Sequence, residues 1–252
     1  MSPRLMPHGL VFNSPVIAHR GSSALAPENT MASFRRAYED GITWVETDVK
    51  LTHEGIPILM HDDTLDRTTS GHGAVADYSW NDISKLDAGS WFNDAFCQEP
   101  VPQLAPFLRS ISEWGMRVNL ELKPCPGRAR ATAMVTLIEL SKVWPEDAPP
   151  PLVSSFDIES LIVAANLHPE CPRGFLMDEW HNDWTSLAHD IDPRSVHVDH
   201  TVLTRDRVQQ IVQNGKIALA YTVNNPNRAK DLLSWGVTAV FSDNPAAILK
   251  SL

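Results

Sequence analysis

Short apolar, β-prone runs recur along the chain, with helical patterns between them. The runs are Val16 to His19, Trp44 to Val49, Val118 to Leu122, Leu152 to Phe156, Gly174 to Met177, Val196 to Asp199, Ala218 to Val223 and Ala239 to Ser242. The segments Thr30 to Glu39, Ala129 to Val143, Ile158 to Leu167, Arg205 to Val212 and Asn227 to Trp235 read as helices. Asn29 is the expected N-cap of the first helix, and Gly41 lies just past its end. Near-continuous apolar strands separated by helices form a parallel sheet covered on its outside. Eight such units in about 250 residues are the count and size of an α/β fold of the closed (β/α)8 TIM-barrel type. An open doubly wound sheet is the competitor. It would carry a Gly-rich phosphate loop after its first strand, where this chain has His19-Arg20-Gly21.

One spacing breaks the rhythm. The second strand ends near Val49, and the next convincing helix begins near Leu104. Between them lie a short extended piece, Ile56 to Met60, and a polar, turn-rich stretch from Asp62 to Pro102. That is too long for a plain connection. It reads as an insertion, residues 62–103, on the C-terminal face of a single domain spanning residues 1–252. Pro145 to Pro151 reads as a surface loop.

The 252 residues suffice for a substantial core without disulfide support. Lys plus Arg total 21 against 31 Asp plus Glu, a formal net charge of −10. That balance argues against nucleic acid and against stable membrane association. Taken alone it would also argue against a small anionic substrate. Cys97, Cys125 and Cys171 are far apart and odd in number, so reduced thiols are expected. Met1 to Ser14 holds Arg4 but no apolar core, and Pro3 and Pro7 interrupt it. A signal peptide is therefore not expected, and a cytoplasmic location is. No apolar run approaches the ~18 residues of a membrane span.

Strand alternation sorts the polar residues. Glu46 and Asp48 leave the second strand on one side, and Glu121 and Lys123 share a side at the end of the third. Carboxylates at strand C-termini point into a barrel mouth, where gathering them is costly without a cation. A hard divalent ion with oxygen ligands is the economical explanation for Glu46, Asp48 and Glu121. His19 and His61 each follow an apolar run, and two imidazoles beside carboxylates suit acid–base work. Arg20 and Lys123 are cations that could hold phosphate or carboxylate oxygens. His197 and Asp199 share strand parity and could reach the pore, but no role follows from that alone.

These residues form an ordered set. It runs His19-Arg20-Gly21, Pro27-Glu28-Asn29-Thr30, Glu46-x-Asp48, His61-Asp62 and Thr64-Leu65-Asp66-Arg67-Thr68-Thr69. It continues through Leu86-Asp87-Ala88-Gly89-Ser90-Trp91-Phe92, Glu121-x-Lys123, Thr222-Val223-Asn224 and Ser242-Asp243-Asn244-Pro245. The set resembles the glycerophosphodiester phosphodiesterases of short, cytoplasmic bacterial type, over roughly Val16 to Leu252. The resemblance implies a TIM barrel with an insertion after the second strand. It implies His19 and His61 as the catalytic pair, with Glu46, Asp48 and Glu121 holding one divalent ion, Mg²⁺ or Ca²⁺. It implies Arg20 and Lys123 as phosphate contacts and Glu28 as a residue that orients its neighbours or the glycerol hydroxyls. The sequence departs from the family at Tyr221, where Trp is usual, which gives the substrate pocket a hydroxyl. The set also includes Val101-Pro102-x-Leu104, after which Ala105 and Pro106 replace acids common in the family.

The implied reaction releases glycerol 3-phosphate and an alcohol from a small-molecule glycerophosphodiester. By analogy His19 is the base and His61 the acid. Water and the neighbouring glycerol hydroxyl both stand as nucleophile. The rival activity is phospholipase D-like cleavage of lysophospholipids at the same site. Trp80, Trp91 and Phe92 would then offer an apolar surface, where the alternative is packing of the insertion. A barrel that binds without turnover would have lost a site histidine or acid, and this sequence keeps all of them. Self-association is left open by the sequence.

Overall fold

The computed structural model describes residues 10–252, so most of Met1 to Ser14, on which the signal-peptide expectation rests, lies outside the described residues. Eight parallel strands close on themselves: β1 (Val16–Ala18), β2 (Trp44–Leu51), β4 (Arg117–Leu122), β5 (Leu152–Ser155), β6 (Arg173–Met177), β7 (Ser195–Asp199), β8 (Ile217–Tyr221) and β9 (Ala239–Ser242). β1 pairs with both β2 and β9, which completes the barrel. The remaining strand, β3 (Pro57–Leu59), folds back antiparallel on β2. Around the barrel lie α1 (Met31–Glu39), α3 (Leu104–Glu113), α4 (Ala129–Val143), α5 (Ile158–Leu167), α7 (Arg205–Gln213), α8 (Pro226–Trp235) and α9 (Pro245–Ser251). Single turns form α2 (Trp80–Ile83) and α6 (Trp184–Leu187), which no apolar period in the sequence marks.

Two apolar clusters fill the space between barrel and helices. One joins β2 and β4 to α1, α3 and α4. The other joins β6 to β9 to the helices on the opposite side. A third group, Ile17, Trp44, Leu152, Leu219, Ala239 and Phe241, plugs the inside of the barrel. Phe12 stacks on Trp44 at 4.6 Å between ring centroids and extends that plug. With this apolar plug below, the charged groups of the barrel gather at the C-terminal mouth.

The insertion has its own small core. Leu65, Val75, Ile83, Ala88 and Val101 pack with Ile58, Met60 and Cys125. Trp80 leans on that core, while Trp91 and Phe92 meet edge to face at 5.7 Å. Trp80 and Phe92 are half-buried, while Trp91 and Tyr78 stay exposed. The three cysteines are free thiols. Among the described residues no helix is long and apolar enough to cross a membrane.

Candidate active site

The first turn after β1 sets the site. Arg20 takes a left-handed φ of 52°, and Gly21 follows at 82°. A Cβ on Gly21 would lie 2.4 Å from Ser33 Oγ, so only glycine fits against α1. This turn aims the Arg20 backbone N–H at Glu46 Oε2, 2.9 Å away. Asn29 is not the N-cap expected from the sequence. Thr30 caps α1 by accepting from Ser33 N, while Asn29 turns inward at φ 55°. Its Nδ2 donates to Asp48 Oδ2 at 2.8 Å, and its Oδ1 accepts from Thr47 Oγ1. The amide is recruited to fix a site carboxylate.

Glu46 and Asp48 on β2 meet Glu121 on β4, with Asp48 and Glu121 in register. Ligand oxygens of all three lie within 4.8 Å of one another. They are almost fully buried, at 3%, 1% and 8% exposure. Lys123 Nζ donates to Glu121 Oε1 at 3.0 Å and lies 3.7 Å from Asp48 Oδ1. Arg20 Nε lies 3.3 Å from Asp48 Oδ2. Two cations thus face three carboxylates. Burial, followed by Asp48 and Glu121, pushes Glu46 well above the carboxylate range. Burial and Asp48 push Glu121 up to about 7, against Lys123. Burial also works against Asp48, but Arg20, Lys123 and His61 outweigh it and hold that carboxylate low. Glu46 Oε1 is buried and has no protein partner. A converging set of hard oxygen donors, with one negative charge in excess of the two cations once all three are ionised, and an orphaned carboxylate oxygen fit a divalent cation.

Both histidines are oriented from behind. His19 Nδ1 sits 2.6 Å from Asp243 Oδ1, and Asp243 also accepts from Ser23 Oγ and Asn224 Nδ2. Burial opposes the Asp243 charge, but these bonds, led by that of His19, hold it down at about 2. His61 Nδ1 sits 2.6 Å from Asp62 Oδ1. A carboxylate can only accept, so in each neutral ring Nδ1 carries the proton and Nε2 the lone pair. Burial, with Arg20 and Lys123, pushes His61 toward its neutral form, against Asp48 and Asp62.

A cavity of about 330 Å³ brings these groups together. His19, Arg20, Glu46, His61, Glu121, Lys123 and Tyr221 all line it, with Asn119, Phe156, His197 and Asp199. Tyr221 stands edge to face with Phe156 at 5.9 Å, and its hydroxyl has no protein partner. Burial, then Asp178 and Asp199, keep that phenol protonated. Glu28 does not line the cavity but lies behind Arg20, accepting from its Nη1 at 2.8 Å. Asp62, Arg67, Asn224 and Asp243 carry the orientation, and in the sequence nothing beyond membership of motifs marks them. His197 and Asp199 do reach the pore, as their parity allowed.

Known proteins resemble this chain over nearly its whole length. The sequence pattern of the glycerophosphoryl diester phosphodiesterase family matches residues 19–247. A glycerophosphodiester phosphodiesterase of Bacillus subtilis is 33% identical over 243 residues, covering 91% of this chain and 83% of that protein. One from Caldanaerobacter subterraneus is 32% identical, covering 93% of this chain and 96% of its own length. A solved phosphodiesterase of Oleispira antarctica, in complex with the product sn-glycerol-3-phosphate, superposes with a TM-score of 0.91 at 40% identity. That superposition covers 94% of this chain and 95% of the other. The chain belongs to the glycerophosphoryl diester phosphodiesterase family.

Proposed function

We propose that this protein hydrolyses small glycerophosphodiesters to glycerol 3-phosphate and an alcohol, with His19 and His61 as the proton-transfer pair. One observation carries the reading. Two aspartate-backed imidazoles line the same 330 Å³ cavity as Arg20, Lys123 and the Glu46–Glu121 side of the acid trio. A divalent ion held by Glu46, Asp48 and Glu121, Mg²⁺ or Ca²⁺, would supply a Lewis-acid charge beside the phosphoryl oxygens. Lys123 spends one donor on Glu121 and keeps others for the phosphate, and Arg20 adds its own charge. One imidazole takes the proton from the attacking oxygen, and the other gives one to the leaving alkoxide. Attack by water yields the monoester at once, whereas attack by the adjacent glycerol hydroxyl yields a cyclic phosphate first.

A second reading, cleavage of lysophospholipids, is favoured by one feature. An open groove of about 490 Å³ shares Lys123, Phe156 and Leu176 with the cavity and adds Ile158, Met177 and Leu187. The test is metal-stripped protein given glycerophosphodiesters or lysophospholipids, with Mg²⁺ or Ca²⁺ restored in turn. Release of glycerol 3-phosphate only when metal is restored supports the first reading. Release of lysophosphatidic acid alone supports the second. Full activity without metal removes the acid trio from metal binding.

A further inference from the structure

Arg67 belongs to the insertion and does not line the cavity. Its guanidinium nevertheless makes four hydrogen bonds to two carboxylates. Nε and Nη2 reach Asp62 at 2.7 and 2.8 Å, while Nη1 and Nη2 reach Glu28 at 2.7 and 2.9 Å. Each carboxylate then holds a residue of the cavity. Asp62 Oδ1 receives His61 Nδ1 at 2.6 Å, and Glu28 Oε1 receives Arg20 Nη1 at 2.8 Å. Arg20 Nε in turn lies 3.3 Å from Asp48 Oδ2. The outcome is a chain of hydrogen bonds from His61 through Asp62, Arg67 and Glu28 to Arg20, with an ion pair from Arg20 to Asp48 at its end.

An isolated exposed ion pair would add little, and the Arg67 side chain is 45% exposed. Here the carboxylates are better covered, at 12% for Glu28 and 25% for Asp62. Both are also gripped by two N–H groups. A two-point grip fixes the plane of a carboxylate, which a point charge such as lysine cannot do. The plane matters because the same Asp62 oxygen that receives Arg67 also receives the His61 ring. With four contacts spent on carboxylates, Arg67 has little left for a phosphate.

We propose that Arg67 is a positioning residue for the diester hydrolysis: one guanidinium sets the carboxylate behind His61 and the carboxylate behind Arg20, holding imidazole and guanidinium in a fixed relation across the cavity. This rests on the function proposed above for His61 and Arg20. Arg67 lies outside the cavity, so its loss is expected to lower kcat far more than it changes KM.

The experiment compares wild type, His61→Ala, Arg67→Met, Arg67→Lys, Asp62→Asn and the Arg67→Met/Asp62→Asn pair, with kcat, KM and thermal midpoint measured for each. His61→Ala is expected to be nearly inactive. Arg67→Met is expected to lose about 10²-fold in kcat, with KM within about threefold. Arg67→Lys keeps the charge without the fork and is expected to recover only a small part. The double variant is expected to lose no more than the worse single one, because both break the same link. Wild-type kcat in Arg67→Met or Arg67→Lys overturns the proposal, as does a double variant whose losses multiply. If Arg67→Met fails to fold, Arg67→Lys decides. A wild type inactive on these diesters, or a fully active His61→Ala, removes the underlying function and the proposal with it.

Discussion

His197 offers a sharp test of how the barrel interior is built. Its ring is fully buried on β7, with Nε2 2.8 Å from Ser195 Oγ and Phe241 at 5.3 Å between centroids. Its Nδ1 has no protein partner. Burial alone pushes it down to about 3, from an ordinary value near 6.5. The sign follows from proton counts. Below pH ~6.5 the unfolded imidazole binds a proton that the folded one refuses until about pH 3. Stability present above pH ~6.5 is therefore lost as pH falls through that window. At about 1.36 kcal/mol per unit, His197 removes about 2 kcal/mol by pH 5 and about 3 kcal/mol by pH 4. For a chain of this size the pH 5 figure is a thermal shift of about 4–8 °C. Glu46 and Glu121 are raised, so they work in the opposite sense, gaining stability as pH falls toward the unfolded carboxylate range. The assay must therefore be differential. The thermal midpoint of metal-free wild type and of His197→Gln is followed from pH 7.5 to about pH 4.5. The wild-type curve should fall relative to the variant by the amounts above. Parallel curves would refute the reasoning, because they would mean that the buried ring is protonated as easily folded as unfolded.

Three further outcomes are expected. Gly174→Ala places a Cβ 2.5 Å from His197 Nε2 and 2.7 Å from Cε1; urea unfolding should show a loss of about 1–3 kcal/mol, and an unchanged midpoint would contradict the packing. Asp243→Asn removes the negative charge behind His19 and puts an NH2 donor in place of one acceptor oxygen, so the group no longer fixes the His19 tautomer; steady-state kinetics should show kcat down about 10–10²-fold at nearly constant KM, and a wild-type kcat would deny Asp243 that role. Glu46→Gln relieves a buried carboxylate raised by burial and its acidic neighbours; the metal-free variant should melt higher than wild type above pH 7 yet bind Mg²⁺ or Ca²⁺ more weakly by calorimetry. Undiminished metal affinity in Glu46→Gln would take that residue out of the centre.

The barrel was legible because its strands are buried on both faces and read as uninterrupted apolar runs. α4 and α5 end where the residue pattern put them. The acid trio was legible because period-two alternation puts Glu46 and Asp48 on one face and the parallel register brings Glu121 beside them. What stayed hidden depends on contacts between distant parts of the chain. Asp243 stands 224 residues from His19 and Arg67 stands 39 from Glu28, so no local period marks either pair. Asn29 was misread as an N-cap for a related reason. A local preference for capping and a tertiary demand from Asp48 compete for the same amide, and the buried carboxylate wins. The short helix α6 has too few turns to show a period.

The formal charge of −10 misleads about the substrate because charge acts locally. With all three carboxylates ionised, the trio together with Arg20 and Lys123 would carry one excess negative charge, which a divalent ion would reverse. The cavity would then attract a phosphodiester on an otherwise acidic protein.

Phosphorus NMR of glycerophosphocholine incubated with metal-loaded protein tests the central claim most directly. Wild type should convert the diester signal to that of glycerol 3-phosphate, while His19→Ala and His61→Ala, folded by circular dichroism, should each slow the conversion by about 10²-fold or more. An unchanged diester signal with wild type, or wild-type rates in either variant, would contradict the account.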